Sequence, residues 1–446
     1  MIPNKLLKTC RKAEVKIRDT LVGFLEMVAT DEFSFSYHQD YLEQKGAIPI
    51  SLTLPLSTEP FLAKTLHPFF DNLLFEGYQF RLAERAFGLS RTSVIDRFYL
   101  LMATGEFSFS PVKIIPMIEG FEKLGDEKGE SSLTKLSLES PYEGYCPICL
   151  KPVKSAHRAC HKKLWGTQRQ ISIEAYEEEP INIFKTIVAG QSISGAQRKA
   201  LFHLNKNYLT RYGSPTHMLK PDGDFAEMPA NEHLTMAAAK EVGFNVPDVG
   251  LYRVDGIGLV YVIKKFGPDH GCPYGSITED FNQLTGELAE DKENSSLEEV
   301  AIAISRFSTS SKIENREFYK RVLFCFLIGN GDMHLKNWSL TRNVQNGLVK
   351  FSPVYDFLGV RTFFPQERVE SILSMGTKRS DFSKADFVMF GTQTLRLDEK
   401  SVSKIMGLIP IWQKVVLDFI DRSVLSHHHQ ERYQQVVNQR AGRLGG

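Results

Sequence analysis

A helix that must stop constrains this chain more than any other feature. Phe318, Val322, Leu323, Phe326 and Leu327 recur at helical spacing, and the run ends on Gly329-Asn330-Gly331. Asp332 follows at once and Asn337 comes five residues later, within GNGDMHLKN. A loop carrying a carboxylate and an amide at this spacing suits phosphoryl transfer. The carboxylate can orient a hydroxyl nucleophile and take its proton, and the amide oxygen can bind Mg2+. Lys336 stands where a cation could approach the transferring group, whereas Met333 and Leu335 read as apolar anchors of the loop.

Three further segments fit the same chemistry. Asp356 in Ser352-Pro353-Val354-Tyr355-Asp356-Phe357 follows a strand-like Leu348–Phe351, and with Asn337 it would meet the needs of Mg2+, which prefers few carboxylates plus phosphate and water. Upstream, Lys220 ends the apolar strand Thr216–Leu219. Glu232 lies on the next helix, which starts after Pro229 and stops at Gly243, and is placed to hold that lysine. Ser192-Ile193-Ser194-Gly195-Ala196-Gln197 has the small residues through which backbone N–H groups of Ser194, Gly195, Ala196 and Gln197 can cradle phosphates; taken alone it is also an ordinary surface turn.

The chain around these segments divides by pattern. Residues 1–118 read as a small α+β domain. Val15 and Ile17 face Leu21–Leu25 across a turn at Asp19-Thr20; Phe33, Phe35 and Tyr37 alternate, and Ile48–Ile50 and Leu52–Leu54 follow in strand style. Residues 119–145, rich in Gly, Ser and Glu, read as a linker, and 146–170 as a Cys/His segment at the domain junction. Residues 171–267 are the strand-rich lobe, with a hairpin at Asp255-Gly256; 268–430 are the helical lobe, and 431–446 a flexible polar tail. With 446 residues and a net charge of +1, there is core material for several domains and no whole-chain field toward nucleic acid or membrane. No apolar run reaches a membrane span and the N-terminus lacks a signal-peptide core, so the expectation is a cytoplasmic protein.

In order and spacing, SISGAQRK, THMLK with the following Asn231-Glu232, IGNGDMHLKN and SPVYDFLG resemble the HipA-type serine/threonine toxin kinases over most of residues 185–425. VGFLE, FSFSY, SLTLPL and FFDNLLFEG are similar to the small N-terminal domain of the same family, so that a HipT-like core and a HipS-like domain share one chain. The resemblance implies an α+β, two-lobed protein-kinase-like fold using ATP and Mg2+. It implies Asp332 as catalytic base, Asn337 and Asp356 as metal ligands, Lys220 as the ATP-phosphate lysine, and Lys265-Phe266 near the adenine hinge. It makes Ser192 and Ser194 autophosphorylation sites. It also implies a substrate in translation, an aminoacyl-tRNA synthetase by class, and a helix-turn-helix antitoxin through which operator DNA would be bound. The chain lacks the GxGxxG, HRD and DFG motifs of eukaryotic-type kinases. Two other readings remain: a small-molecule phosphotransferase, and a silenced kinase fold serving as antitoxin or co-repressor scaffold.

Six cysteines in so long a chain do not make a disulfide framework. Cys146, Cys149, His157 and Cys160 have spacing that can close a tetrahedral Zn2+ site; the plain alternative is a reduced cluster.

Overall fold

The computed structural model describes residues 4–74, 84–90, 92–107, 110–118, 133–154, 156–176, 199–210, 215–223, 225–266 and 276–445. The chain forms two compact units: Met1–Glu130 with Gly267–Lys292 and Ser339–Leu348, and Ser131–Phe266 with Glu293–Trp338 and Val349–Gly446. The first unit therefore takes two short segments from the region read in sequence as the helical lobe.

In the first unit, β1 (Lys12–Ile17), β2 (Thr20–Ala29), β3 (Glu32–Tyr37), β4 (Phe61–Ala63) and β5 (Val112–Pro116) make an antiparallel sheet in the order β4-β3-β2-β1-β5. Alternation buries one face: Ala13, Val15 and Ile17 on β1, and Phe33, Phe35 and Tyr37 on β3. Phe98, Leu100 and Leu101 of α1 (Val94–Thr104) join that core. The segments Ile48–Ile50 and Leu52–Leu54 differ from expectation, forming no strand beyond a bridge between Ser51 and Leu54. Pro49 and Pro55 interrupt the supply of backbone donors. Tyr37 ties this segment instead, its hydroxyl donating to the Leu54 carbonyl at 2.6 Å and accepting from the Ile50 N–H at 2.9 Å.

The second unit opens with a closed barrel. Its strands are β6 (Leu133–Glu139), β7 (Ser172–Tyr176), β8 (Ala200–Asn205), β9 (Tyr208–Thr210), β10 (His217–Pro221), β11 (Val249–Val254) and β12 (Gly258–Lys264), in the order β10-β12-β11-β6-β7-β9-β8. Two sequence expectations are corrected here. Residues 133–139, read as linker, are a barrel strand, and the Cys/His segment lies within this unit rather than at a junction. The polar run before Leu133 masked the alternation of Leu136 and Leu138.

Helix α2 (Met228–Glu241) is buried along almost its whole length. After it come α3 (Leu297–Phe307), α4 (Ser311–Leu327), α5 (Ile409–Asp421) and α6 (His427–Leu444). Between α2 and α3 the chain forms β13 (Ser276–Asp280), and after α4 it forms β14 (Ser339–Asn343); these two pair antiparallel within the first unit. The expected flexible tail is helical. Tyr433, Val437, Ala441 and Leu444 recur every three or four residues and are all buried, and Arg440 and Arg443 both pair with Glu370. The polar residues between them hid this stripe. Among the described residues, no helix is long and apolar enough to cross a membrane.

Candidate active site

Strand β10 carries Lys220 into the unit, where it is 5% exposed. Such a buried ammonium needs compensation. Its Nζ donates to Glu232 Oε1 at 2.7 Å and to Asp356 Oδ1. Burial alone would pull the lysine's pKa down; the carboxylates of Asp356 and Glu232 outweigh it and hold the ammonium above its ordinary value. Glu232 is fully buried on α2, one residue after Asn231, whose Oδ1 accepts from the Gly359 N–H at 2.7 Å. Behind it, the Thr235 hydroxyl meets the Tyr433 hydroxyl of α6 at 2.8 Å.

Asp356 is held differently. Its neighbours Val354 and Phe357 are buried, Phe357 stacking on Phe324 at 5.6 Å, so the turn between them is wedged into the core. The Asp356 backbone has φ +55°, a left-handed conformation that few non-glycine residues adopt. Burial would raise its carboxyl pKa, but the Lys220 ammonium holds it below the ordinary value. The side chain still keeps 32% exposure, so a ligand can reach it.

Helix α4 ends as the sequence requires. Gly329 has φ +68°, and a Cβ there would lie 2.6 Å from Val436 Cγ1, which excludes larger residues. Asn330 Nδ2 donates to the Asp356 carbonyl at 2.9 Å, tying the loop to the Asp356 turn. Asp332 is exposed, whereas Met333 and Leu335 are buried. Asn337 Nδ2 donates to the Asp332 carbonyl at 2.9 Å, which fixes the spacing inside the loop and leaves the amide oxygen as the donor available to a cation. The Tyr355 hydroxyl donates to the Lys336 carbonyl at 2.9 Å. The hydrogen bonds of Asn330 and Tyr355 thus join the two loops, and sequence reasoning missed both; the glycines around Asn330 were the one visible sign of its special position.

Lys265 donates its backbone N–H to the Thr216 carbonyl at 2.8 Å, and Phe266 stacks on Tyr355 at 5.8 Å. Ser192, Ser194, Gly195, Ala196 and Gln197 lie outside the described residues. A carboxylate and an amide oxygen on the two tied loops, beside a buried lysine, are hard oxygen donors, a chemistry that suits Mg2+ rather than a softer metal.

Comparison with known proteins adds a family. A model described as the HipA-like C-terminal domain matches residues 191–413, and one described as the HipA N-terminal domain matches residues 13–109. A Haemophilus influenzae protein named "Putative kinase" is 26% identical over 309 residues, 60% of this chain and 86% of that one. A Sinorhizobium fredii protein named "Putative kinase Y4mE" is 23% identical over 345 residues, 76% of this chain and 74% of that one. Among solved structures, a chain of the Shewanella oneidensis MR-1 complex of HipA, HipB and operator DNA superimposes with TM-score 0.69 at 18% identity, over 97% of this chain and 96% of that one, which is a likeness of fold. With both its C-terminal and its N-terminal domain models matched, the chain belongs to the HipA family.

Proposed function

We propose that this chain is an ATP-dependent serine/threonine protein kinase acting as the toxin of a toxin–antitoxin pair. The observation that carries the reading is Lys220 held between Glu232 and Asp356, with the Asp356 turn tied to the Asp332–Asn337 loop through Asn330. Lys220 would bind the nucleotide phosphates, and Glu232 would keep its ammonium in place. Asn337 and Asp356 would hold Mg2+, which when bound neutralises phosphate charge. Asp332 would orient the substrate hydroxyl and accept its proton, and Lys336 would stand by the transferring group. The ion pair of Lys220 with Asp356 is the contact that phosphates and cation would replace, and the partial exposure of Asp356 supports that exchange.

The finer assignments follow the family resemblance. Ser194, Gly195, Ala196 and Gln197 would cover the phosphates and Lys265-Phe266 the adenine. Ser192 and Ser194 would be autophosphorylated. A phosphoserine adds about −1.5 to −2 charge, which would repel nucleotide from the loop and lower activity. The substrate would be an aminoacyl-tRNA synthetase or another translation component. The partner would be a helix-turn-helix antitoxin that carries the DNA contact.

The test is expression of wild type and Asp332→Gln in bacteria, reading growth together with phosphopeptides of the loop and of translation factors. Arrest and phosphorylation by the wild type alone support the proposal. A folded wild type that phosphorylates neither itself nor any translation component, with or without residues 1–115, would sink it.

A further inference from the structure

The four residues Cys146, Cys149, His157 and Cys160 converge although they come from two elements. Cys146 and Cys149 sit on a tight turn in which the Leu150 N–H donates to the Cys146 carbonyl at 3.0 Å and the Cys146 N–H to the Lys151 carbonyl at 3.0 Å. Leu150 takes φ +54°, which curls the turn around the two sulfurs. His157 stands at the N-cap position of the helix Arg158–Trp165 and Cys160 lies in its first turn. One ligand atom from each residue lies within 4.8 Å of all the others. Cys149 Sγ is 3.3 Å from His157 Nδ1, and Cys160 Sγ is 4.0 Å from it. A tetrahedral zinc with bonds of about 2.0–2.3 Å sets its ligand atoms about 3.3–3.8 Å apart, so a contraction of about 1 Å at most closes the shell. Three thiols and an imidazole are the donor set of a structural zinc, with no position left over for substrate.

What the cluster holds is visible in its hydrogen bonds. Between the first two cysteines, the Pro147 carbonyl accepts from the Leu251 N–H of β11 at 2.8 Å. The helix from His157 ends on Leu164 and Trp165, both buried. Trp165 Nε1 donates to the Tyr252 hydroxyl at 2.9 Å, and its ring stacks on His217 at 4.9 Å. His217 Nε2 is 3.0 Å from the Leu164 carbonyl, a pure acceptor, so Nε2 carries the proton and Nδ1 accepts from the Thr216 hydroxyl at 2.9 Å. His217 opens β10, the strand that carries Lys220.

We infer that Cys146, Cys149, His157 and Cys160 bind one zinc ion, and that this ion fixes the helix against which the Lys220 strand is aligned. The zinc site is independent of the phosphotransfer reading, because its first readout is metal, whereas the expected effect on nucleotide binding rests on that reading.

The full chain, purified without chelator or added metal, is analysed for zinc by elemental analysis. Cobalt exchange is followed by the visible bands of a tetrahedral thiolate site. Wild type and Cys10→Ser should carry one zinc per chain, and Cys149→Ser/Cys160→Ser should carry almost none. Stripping the wild type should lower its melting temperature and weaken nucleotide binding several-fold, with both restored by zinc. Folded wild type with zinc far below one per chain, or with an intact Cys146–Cys149 disulfide, overturns the site. A bound zinc whose removal changes neither melting nor nucleotide affinity overturns the alignment role. Should the double variant fail to fold, wild-type zinc content and the cobalt spectrum decide between these outcomes.

Discussion

Each unit buries a cation against carboxylates, and the two do it in opposite ways. In the first unit, Arg97 grips Asp71 with two nitrogens, Nε at 2.6 Å from Oδ1 and Nη2 on Oδ2, and reaches Glu290 with Nη1 at 3.3 Å. Asp71 is fully buried and also accepts from the Ala289 N–H at 2.8 Å. A planar fork matched to a saturated carboxylate is a fixed joint. In the second unit, Lys220 is a point charge between two carboxylates, one sealed and one a third exposed on a left-handed backbone. An ammonium can turn toward a new anion at little geometric cost. The difference separates a charge locked on a sealed carboxylate from one whose second partner is open to a ligand.

The largest effect expected on this contrast comes from Asp332. Asp332→Asn removes the proposed base without disturbing the core, so kcat should fall by about 10²–10⁴-fold. Because Asp332 is exposed, unfolding free energy should stay within about 0.5 kcal/mol of wild type. Steady-state phosphorylation beside urea unfolding checks both halves; a variant that is unstable yet active would reverse the contrast.

Arg97→Met should do the converse. It strands the buried Asp71 carboxylate, and losing one partner of a buried pair costs roughly 3–5 kcal/mol. Urea midpoints with unchanged slope would measure it. A loss below about 1 kcal/mol would mean that the joint is not structural.

How much of this was legible follows from what each residue depends on. The candidates Asp332, Asn337 and Asp356 stand out in the sequence because a loop after a terminated helix and a turn after a strand announce themselves locally. The barrel was only partly visible. Its hairpin β11–β12 carries Asp255-Gly256, whereas β6 shows only two alternating leucines after a polar run. The α6 stripe was missed because Tyr433, Val437, Ala441 and Leu444 are spaced through polar sequence, and only packing shows that they face inward. The Arg97–Asp71 joint was invisible for the same reason: neither residue has a local signature, and their pairing is a product of the fold. The first unit's capture of residues 267–292 and 339–348 likewise depends on the pairing of β13 with β14, which no short-range pattern encodes.

Glu279 on β13 tests a buried carboxylate that is not held by a lysine. It accepts from the Ser51 hydroxyl and, at 2.9 Å, from the Leu52 N–H. Burial pushes its pKa up from 4.5 to about 7 despite those bonds and the nearby Arg342 charge. Asp356 shifts the opposite way, because Lys220 outweighs its burial. The folded state thus binds the Glu279 proton more tightly than the unfolded chain. Its contribution is full below pH 4.5 and is lost as pH rises toward 7. Across that window the loss should reach at most about 3 kcal/mol. Melting temperatures of wild type and Glu279→Gln over the same range check this: the variant should lose that part of the slope, and an identical slope would show that Glu279 does not titrate there.

Tyr355→Phe gives the smallest change and tests whether the exchangeable site depends on its loop ties. The substitution keeps the ring that stacks on Phe266 and removes only the hydroxyl that donates to the Lys336 carbonyl. One such hydrogen bond contributes about 0.5–1.5 kcal/mol. If the tie holds Lys336 and Asn337 in register with Asp356, the cost should fall on kcat, by about 2–10-fold. Nucleotide affinity should then move little, since Lys220 and Glu232 are untouched. If affinity for nucleotide falls instead while kcat holds, Tyr355 serves the Phe266 side of the site, and the Asn330 bond to the Asp356 carbonyl is the tie that aligns the two loops.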